Sequence, residues 1–374
     1  MKILFIGPYR QQDGWGTGAR DYIRSLLKTE HEISCKPIYL SNLIKKDIPI
    51  EIQRTEKHTF DSLPDVVIQN VLPSVLNYHH DILNLGLYDI ETRHLEHINW
   101  ARRSNLIDGV CVSSNEEIQI LEESGVKIPM FNVGTPINIE EYTEHIDTEP
   151  FNHPLINNNF TFYFIGEMID RKNIEALLFA FFREFKLNEP VSLLLKLNLG
   201  EVDEYTLLNL FNEKLSRLKQ EIRLYASDKY HNVSVITNHL SFEDLCKLHK
   251  ACDCFVMPSR GESLCRPIME AMLMENPAIM TKDAGMNSLN GIYVQSREEP
   301  CHTVSPPIPY LYTGNETWRE IDIIDLQRKM RKVFKESNFY SSTNEIKKRQ
   351  KHIIDNFSYE ATAQKLNKCI QSLI

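Results

Sequence analysis

Short apolar runs alternate with segments in which apolar residues recur at helical spacing. In the first part of the chain, this pattern predicts buried strands and amphipathic helices. The predicted strands are residues 2–7, 65–69 and 109–113, and the predicted helices are residues 19–28 and 114–124. The second helix starts at Ser114, a residue type that commonly caps helix N-termini. Strands that alternate with helices indicate a parallel sheet.

A second alternating series follows a polar stretch at residues 140–159, which we interpret as an interdomain linker. Its predicted strands are residues 160–165, 191–197, 233–237 and 254–258, and its predicted helices are residues 173–185, 205–224, 242–251 and 268–274. Three further helices are predicted at residues 325–336, 343–355 and 359–373.

A chain of 374 residues exceeds the length, roughly 250–300 residues, at which one hydrophobic core stops growing. We therefore predict an N-terminal domain over residues 1–150 and a C-terminal domain over residues 151–358. The final helix, residues 359–374, is expected to pack back on the N-terminal domain.

Composition and charge narrow the functional classes. With 42 basic and 51 acidic residues, the net charge of -9 offers no overall electrostatic attraction for nucleic acid or an anionic membrane. The first apolar run ends at Gly7, too early for a signal-peptide core or a membrane span. The eight cysteines form no regular framework, so we expect reduced thiols and a cytoplasmic protein. The basic stretch 347–352 could contact a membrane peripherally or a nucleic acid, but a solvated helix face is the preferred interpretation.

His249, Cys252 and Cys254 form a local cluster of potential zinc ligands. A convincing fourth ligand is missing, and the two cysteines flank an apolar stretch. Buried core thiols are therefore the preferred interpretation, and no metal site is predicted.

The segment GESLCRPIMEAM, residues 261–272, places Glu262 and Glu270 on either side of a strand-to-helix loop. Pro267 is typical of a helix start. Backbone N–H groups of residues 263–266 are expected to face a phosphate or a sugar hydroxyl. Glu270, in the first helical turn, is expected to accept the two vicinal hydroxyls of a ribose, and Glu262 to meet a sugar. The alternative is a chance pair of surface glutamates.

A glycine-rich segment follows the first strand and consists of Gly14, Trp15, Gly16, Thr17 and Gly18. Such a loop can cradle phosphate through its backbone. The spacing Gly14-x-Gly16-x-x-Ala19 also matches a dinucleotide fingerprint, with Glu30 or Glu32 as the ribose partner. Trp15 is either a stacking platform for a sugar or a hydrophobic plug.

Residues 241–286 resemble the C-terminal domain of the retaining GT-B glycosyltransferases (glycosyl transferases group 1, family 4-like). The shared features are a helix, an apolar strand that ends in Pro-Ser, and the pattern E-x7-E-A. The resemblance continues at GEMIDRKN, residues 166–173, and at Asn290-Gly291. Residues 86–114 look like the acceptor-domain passage, with matching positions at Glu91, Asn105, Asp108 and Ser113.

The resemblance implies an α/β protein of GT-B fold, with two Rossmann-like domains that face each other across a cleft. It also implies a hexosyl- or pentosyltransferase that moves a sugar from a nucleoside diphosphate sugar to a hydroxyl acceptor with retention. Neither a cofactor nor a metal is expected. The implied catalytic residues are Glu262, Lys172 and Arg171, and the implied donor-binding residues are Glu270, Ser263, Leu264, Cys265, Arg266, Gly166, Asn238 and His239. Residues 14–18 would contact the acceptor and the diphosphate.

One position departs from the family pattern. Glu167 stands where the family usually has an arginine, and Lys172 matches the second cation of that pattern. Arg171 is then the candidate replacement for the first cation.

Two other functions fit parts of the sequence. The glycine segment suggests an NAD-dependent oxidoreductase, and the departure at Glu167 suggests a catalytically inactive GT-B protein that binds sugar nucleotides. The acceptor stays open among a glycan, a lipid-linked sugar, a protein and a small molecule. A modified base in phage DNA is a further option, which the net acidity opposes.

Overall fold

The computed structural model contains two α/β units, each built on a six-stranded parallel sheet. It describes residues 1–40, 42, 44–95, 99–153, 156, 159–222, 224, 229–231, 233–301 and 315–374. The first unit comprises Met1–Ile139, Pro309–Glu316 and Ile354–Ile374, and the second comprises Glu140–Ile308 and Thr317–Ile353.

The first unit is a parallel sheet with helices between its strands. Its N-terminal elements are β1 Lys2–Gly7, α1 Gly14–Leu26, β2 Glu32–Pro37, α2 Ile50–Lys57, β3 Val66–Gln69, β4 Leu83–Leu87, α3 Trp100–Ser104, β5 Gly109–Val112, α4 Asn115–Glu123, β6 Met130–Asn132 and, at the boundary, α5 Ile139–Glu144. The strand order is β2-β1-β3-β4-β5-β6. The direction of chain progression therefore reverses between β1 and β3.

The second unit repeats this architecture with longer central strands. Its elements are β7 Phe160–Glu167, α6 Ile174–Glu184, β8 Val191–Asn198, α7 Glu204–Ile222, β9 Val233–Ile236, α8 Phe242–Ala251, β10 Cys254–Met257, α9 Arg266–Leu273, β11 Ala278–Thr281, β12 Ile292–Val294, β13 Ser296–Pro300, β14 Thr317–Ile321, α10 Ile323–Lys335, α11 Ser337–Tyr340 and, at the boundary, α12 Thr343–Phe357, whose residues from Ile354 onwards belong to the first unit. The sheet runs β12-β11-β10-β7-β8-β9, while β13 and β14 form a separate antiparallel pair.

The last helix, α13 Tyr359–Leu373, is part of the first unit. The Tyr359 hydroxyl donates to Asp21 of α1 at 2.6 Å. Leu366, Cys369 and Ile370 are buried in the same hydrophobic core as the side chains of β1. The C-terminal helix α13 and the N-terminal strand β1 therefore contribute side chains to one hydrophobic core.

Every strand and helix predicted from the sequence is present, although several ends shift. α4 begins after Ser114, whose side chain accepts from the Glu117 amide in a capping box, as the sequence predicts. The polar stretch at 140–159 includes part of α5, in which Tyr142 is buried. Among the described helices, none combines the length and apolarity needed to cross a bilayer.

The basic stretch at residues 347–352 is not a uniformly solvated face, which corrects the expectation from sequence. Arg349 is buried and donates to the carbonyl oxygens of Glu275 and Tyr340. The His352 ring contacts the Ser288 carbonyl oxygen at 2.7 Å. These two residues therefore hold α12 against the rest of its unit.

Candidate functional site

The candidate site lies at the reversal of strand order in the second sheet. Counted along the chain, the order β9-β8-β7-β10-β11-β12 is 3-2-1-4-5-6, so the chain reverses between β7 and β10. Ligands of open parallel sheets bind outside the carboxyl ends of the strands at such a switch point. The segments that follow these two strands contain residues 168–173 and 258–265, which include all three candidate catalytic residues and three of the eight candidate donor-binding residues.

Arg171, Lys172 and Glu262 meet at this switch point. Lys172 Nζ lies 2.7 Å and 2.9 Å from the two carboxylate oxygens of Glu262. Arg171 Nη1 donates to Glu262 Oε1 at 3.0 Å and to the Gly261 carbonyl oxygen at 2.6 Å. The side chains of the two cations are 14% and 12% exposed. Arg171, Lys172 and Glu262 therefore form a largely buried ionic cluster rather than a group of solvated surface charges.

This cluster determines the protonation state of Glu262. Burial alone raises the pKa of the Glu262 carboxyl, but the charges of Lys172 and Arg171 outweigh burial and hold that pKa below its usual value. Glu262 is consequently a carboxylate at neutral pH. It can accept hydrogen bonds and stabilise positive charge, but it has no proton to give to a leaving group.

The backbone around Glu262 is held by the loop that follows β11. The Glu262 amide donates to the Ala284 carbonyl oxygen at 2.9 Å. Gly285 has a φ of +87° and packs so closely that a Cβ atom there would lie 1.6 Å from the Glu262 carbonyl oxygen. Only glycine fits this position without displacing Glu262. The sequence pattern did not single out Gly285.

Helix α9 begins at Arg266, two residues earlier than predicted, and Glu270 is its fifth residue rather than part of its first turn. Cys265, which precedes α9, has a φ of +65°, in the left-handed region. Leu264 is fully buried. Any contribution of Leu264 to ligand binding must therefore come from its backbone. Ser263 and Arg266 are partly exposed at the start of the helix.

Glu270 is a buried residue surrounded by polar groups of neighbouring helices. The Tyr142 hydroxyl of α5 is hydrogen-bonded to the Glu270 side chain. His249 Nε2 of α8 lies 4.0 Å from Glu270 Oε2. Burial, followed by the charge of Glu270, raises the pKa of Tyr142 well above its usual value, so its hydroxyl stays a donor.

The remaining predicted donor-binding residues lie at other strand ends of the same sheet. Gly166 is the penultimate residue of β7. Asn238 and His239 are exposed in the turn between β9 and α8, and Ser241 caps α8 by accepting from the Asp244 amide. Since β8 separates β9 from β7, this turn lies further along the carboxyl edge than the ionic cluster.

Glu320, which the sequence did not single out, connects the two loops at the switch point. Its contacts with Arg260 and Asn173 are called the Glu320 brace. Arg260 Nε donates to Glu320 of β14 at 2.5 Å, and Asn173 Nδ2 donates to the other Glu320 oxygen at 3.0 Å. The Arg260 guanidinium also lies over the Trp318 ring, 5.2 Å from its centroid. One carboxylate thus ties the segment after β7 to the segment after β10.

In the first unit, the glycine segment is helical, which corrects the predicted loop. Gly14, Trp15, Gly16, Thr17 and Gly18 form the first turns of α1. The side chain of the N-cap residue accepts from the Gly16 amide at 3.0 Å. A Cβ atom on Gly16 would lie 2.0 Å from the Gln11 carbonyl oxygen, whereas Cβ atoms on the other two glycines would meet open space. Trp15 is 36% exposed.

This geometry does not fit a dinucleotide fingerprint. The Asp13 carboxylate occupies the helix N-terminus, where the fingerprint needs a pyrophosphate. Glu32 is the first residue of β2 and pairs with Lys2, at the amino end of the sheet, whereas α1 starts beyond the carboxyl end of β1. Glu30 precedes β2. Neither glutamate lies where a ribose partner would be needed.

The suspected zinc ligands are core residues. Cys252 and Cys254 are buried, and His249 is fully buried with its Nδ1 atom 2.7 Å from the Tyr163 hydroxyl. Within the described residues, the structure groups no three histidine, cysteine or carboxylate side chains in a way that could hold a metal ion.

Comparisons with known proteins agree with this architecture. Residues 159–301 match the family model described as Glycosyl transferases group 1. No curated protein has a significant sequence match.

Solved structures resemble the whole chain in fold. The Anabaena protein Alr3699/HepE, in complex with UDP-glucose, has a TM-score of 0.61 and 15% identity, and the alignment covers 100% of both chains. Sucrose-phosphate synthase from Thermosynechococcus elongatus has a TM-score of 0.64 and 15% identity, with 100% and 99% covered. A glycosyltransferase from Rickettsia africae ESF-5 has a TM-score of 0.63 and 14% identity, with 100% and 98% covered.

The family match lies within the unit that holds the ionic cluster, and the structural similarity extends over both units. At these identities the structural similarity establishes the fold. This chain therefore has the GT-B fold, and its residues 159–301 match the model of the glycosyl transferases group 1.

Proposed function

We propose that this protein transfers a sugar from a nucleoside diphosphate sugar to a hydroxyl acceptor with retention of the anomeric configuration. The observation that carries the proposal is the pair of cations, Arg171 and Lys172, beside the ionised Glu262 at the switch point. A diphosphate gains negative charge as the glycosidic bond breaks, and fixed cations stabilise that charge.

Each group of the site then has a chemical role. The bond between the anomeric carbon and the diphosphate oxygen breaks, the acceptor oxygen bonds to that carbon, and the acceptor proton passes to the departing phosphate. Arg171 and Lys172 stabilise the diphosphate, so Arg171 takes the place of the cation that Glu167 does not provide. Glu262 positions the transferred sugar and stabilises the positive charge that develops on it. Because the cations carry the charge, the reaction needs neither a metal nor a cofactor.

The donor is held by groups at the same edge of the sheet. Glu270 accepts hydrogen bonds from the ribose hydroxyls, and backbone groups of residues 263–266 contact the sugar and the phosphates. Gly166 leaves room for the diphosphate beside β7, and Asn238 with His239 contacts the base. The Anabaena protein was solved in complex with UDP-glucose, so UDP-glucose is the first donor to test.

Thermal shift with UDP, ADP, GDP and their glucose conjugates tests the donor. A ligand at 100 times its Kd stabilises the folded state by about 2.7 kcal/mol. We expect one nucleotide series to raise Tm, Lys172→Met to abolish the shift, and added chelator to leave it unchanged. Lys214→Met is the matched control, because Lys214 of α7 lies outside the segments 168–173 and 258–265 and also pairs with a glutamate, Glu175, at 2.6 Å. The absence of any shift with every nucleotide would overturn the proposal.

Turnover separates this proposal from its alternatives. Incubation of the bound donor with glycan, lipid-linked sugar, protein and small-molecule acceptors should give a product with the anomeric configuration of the donor by NMR. An inverted product would refute retention. Donor binding without transfer or hydrolysis would favour an inactive sugar-nucleotide-binding protein.

A further inference from the structure

A buried network of three side chains lies directly behind Glu270. The Tyr163 hydroxyl of β7 lies 2.7 Å from His249 Nδ1. Asn276 Nδ2 lies 2.9 Å from the same hydroxyl and 2.6 Å from the His249 carbonyl oxygen. All three residues are at most 8% exposed, and His249 is fully enclosed. The site described above assigns no role to any of them.

Hydrogen-bond accounting fixes the tautomer of His249. A carbonyl oxygen can only accept, so the Asn276 atom that faces the His249 carbonyl must be the amide nitrogen. That nitrogen uses its second proton on the Tyr163 oxygen. Among the contacts that the structure describes for the Tyr163 hydroxyl, His249 Nδ1 is the atom that can accept its single proton, so Tyr163 donates to Nδ1. Burial also lowers the pKa of His249 to about 3, so the ring is neutral and carries its proton on Nε2.

The Nε2 proton faces Glu270. His249 Nε2 is buried and has no hydrogen-bond partner among the residues that the structure describes, while Glu270 Oε2 lies 4.0 Å away. A buried donor without an acceptor is unfavourable, and hydrogen bonds in binding sites often shorten when the ligand arrives. A shift of about 1 Å in the carboxylate would bring the two atoms to hydrogen-bond distance.

We propose that His249 is a positioning residue for Glu270, whose carboxylate it orients to receive the ribose hydroxyls of the donor. The inference rests on the proposed function, because it takes Glu270 as the ribose acceptor. The Tyr142 hydroxyl contacts the carboxylate from α5, and the His249 Nε2–H approaches it from α8. Together the two donors restrict its rotation. The chain Asn276, Tyr163 and His249 keeps the proton on the nitrogen that faces Glu270.

Two ligands that differ only in their ribose hydroxyls distinguish a positioning role of His249 from a packing role. Binding of UDP and of 2′,3′-dideoxy-UDP is measured by calorimetry, or of the corresponding pair for whichever nucleotide the wild-type protein binds. We expect His249→Phe to weaken UDP binding by about tenfold, the usual effect of losing a hydrogen bond to a charged group. Binding of the dideoxy ligand, which offers no ribose hydroxyls to Glu270, should change less than twofold.

Two further variants keep the test informative if His249→Phe folds poorly. His249→Gln places an amide donor near the Nε2 position and should restore most of the preference for UDP over the dideoxy ligand. Tyr163→Phe leaves the histidine ring in place but removes the proton that holds the tautomer, so it should reduce the preference. In transfer assays, the KM for the donor should rise while kcat at saturation is retained.

The outcomes distinguish this inference from the function on which it rests. If the wild-type protein binds no nucleoside diphosphate, the proposed function fails and the inference with it. If Glu270→Gln abolishes the preference for ribose hydroxyls but His249→Phe and Tyr163→Phe keep it, the inference alone is overturned. An equal loss of both ligands in His249→Phe, with no rescue by His249→Gln, would also overturn it.

Discussion

Gly285 lies where the loop after β11 presses against the backbone of Glu262. A Cβ atom at this position would meet the Glu262 carbonyl oxygen at 1.6 Å. We expect Gly285→Ala to lower the free energy of unfolding by more than about 2 kcal/mol, since it adds this clash to the cost of a left-handed backbone. Binding of the sugar nucleotide should weaken as well, because Glu262 would be displaced from the transferred sugar. Urea unfolding and calorimetry measure the two effects.

The matched control for this substitution is Gly200→Ala. Gly200 also has a positive φ, +47°, but a Cβ atom there would contact nothing within 4 Å. Gly200→Ala should lower the free energy of unfolding by about 1 kcal/mol, the backbone penalty alone, and leave nucleotide binding unchanged. Equal losses of stability in the two variants would contradict a specific role for the contact between Gly285 and Glu262.

The charge on Glu262 should appear in the pH dependence of stability. Because Lys172 and Arg171 lower the folded-state pKa of Glu262, its stabilising effect is present above the usual carboxyl pKa and is lost as pH falls through the lowered value. Glu262→Gln should therefore cost about 3 kcal/mol at pH 7. The difference from wild type should shrink below about pH 4. Urea midpoints at a series of pH values measure it.

The exposed ion pair of Glu175 and Lys214 provides the control for Glu262→Gln. Glu175 is 44% exposed and pairs with Lys214, so Glu175→Gln should change stability by less than about 1 kcal/mol at every pH. A Glu262→Gln effect that is equally small at pH 7, or one that persists unchanged at acid pH, would show that the cluster does not hold Glu262 ionised.

At the scale of elements, apolar patterning predicted the strands and helices that carry the site and missed those that support it. The helix at residues 359–373 is observed over those residues. β13, SREEP, was not predicted, because it has no alternation of apolar and polar residues. Its pairing with β14 depends on backbone hydrogen bonds instead. α1 begins at Gly14, although three glycines in five residues favour a loop, because Asp13 caps the helix and Gly16 packs against Gln11.

The β13–β14 pair is expected to be part of the site because Glu320 braces both loops of the switch point. Glu320→Ala removes the acceptor of Arg260 and Asn173. We expect a loss of about 2 kcal/mol in stability, as for a buried hydrogen bond to a charged group, and weaker nucleotide binding. Glu298→Ala on β13 is the control, since Glu298 is 47% exposed. If Glu320→Ala and Glu298→Ala bound the nucleotide with similar affinity, the Glu320 brace would not contribute to the site.

At the scale of the whole molecule, strand order explains why the site was only partly predictable. Lys172 and Glu262 are 90 residues apart in sequence, and the motif around each could be recognised separately. Their contact requires β7 and β10 to be neighbours, which follows from the reversal of strand order rather than from either motif. The sequence therefore pointed to Arg171, Lys172 and Glu262 as separate candidates, but not to the sharing of the Glu262 carboxylate between two cations.

The C-terminal helix gives the whole-molecule organisation a direct test. Leu366 of α13 is 1% exposed in the core that contains Phe5 of β1, so Leu366→Ala should cost about 2–5 kcal/mol. Hydrogen exchange should accelerate in β1 and β3, which precede Leu366 by about 360 and about 300 residues. Leu326→Ala in α10, where Leu326 is also fully buried, should instead accelerate exchange in β7 and β11. If Leu366→Ala loosened β7 as much as β1, α13 would not belong energetically to the N-terminal core.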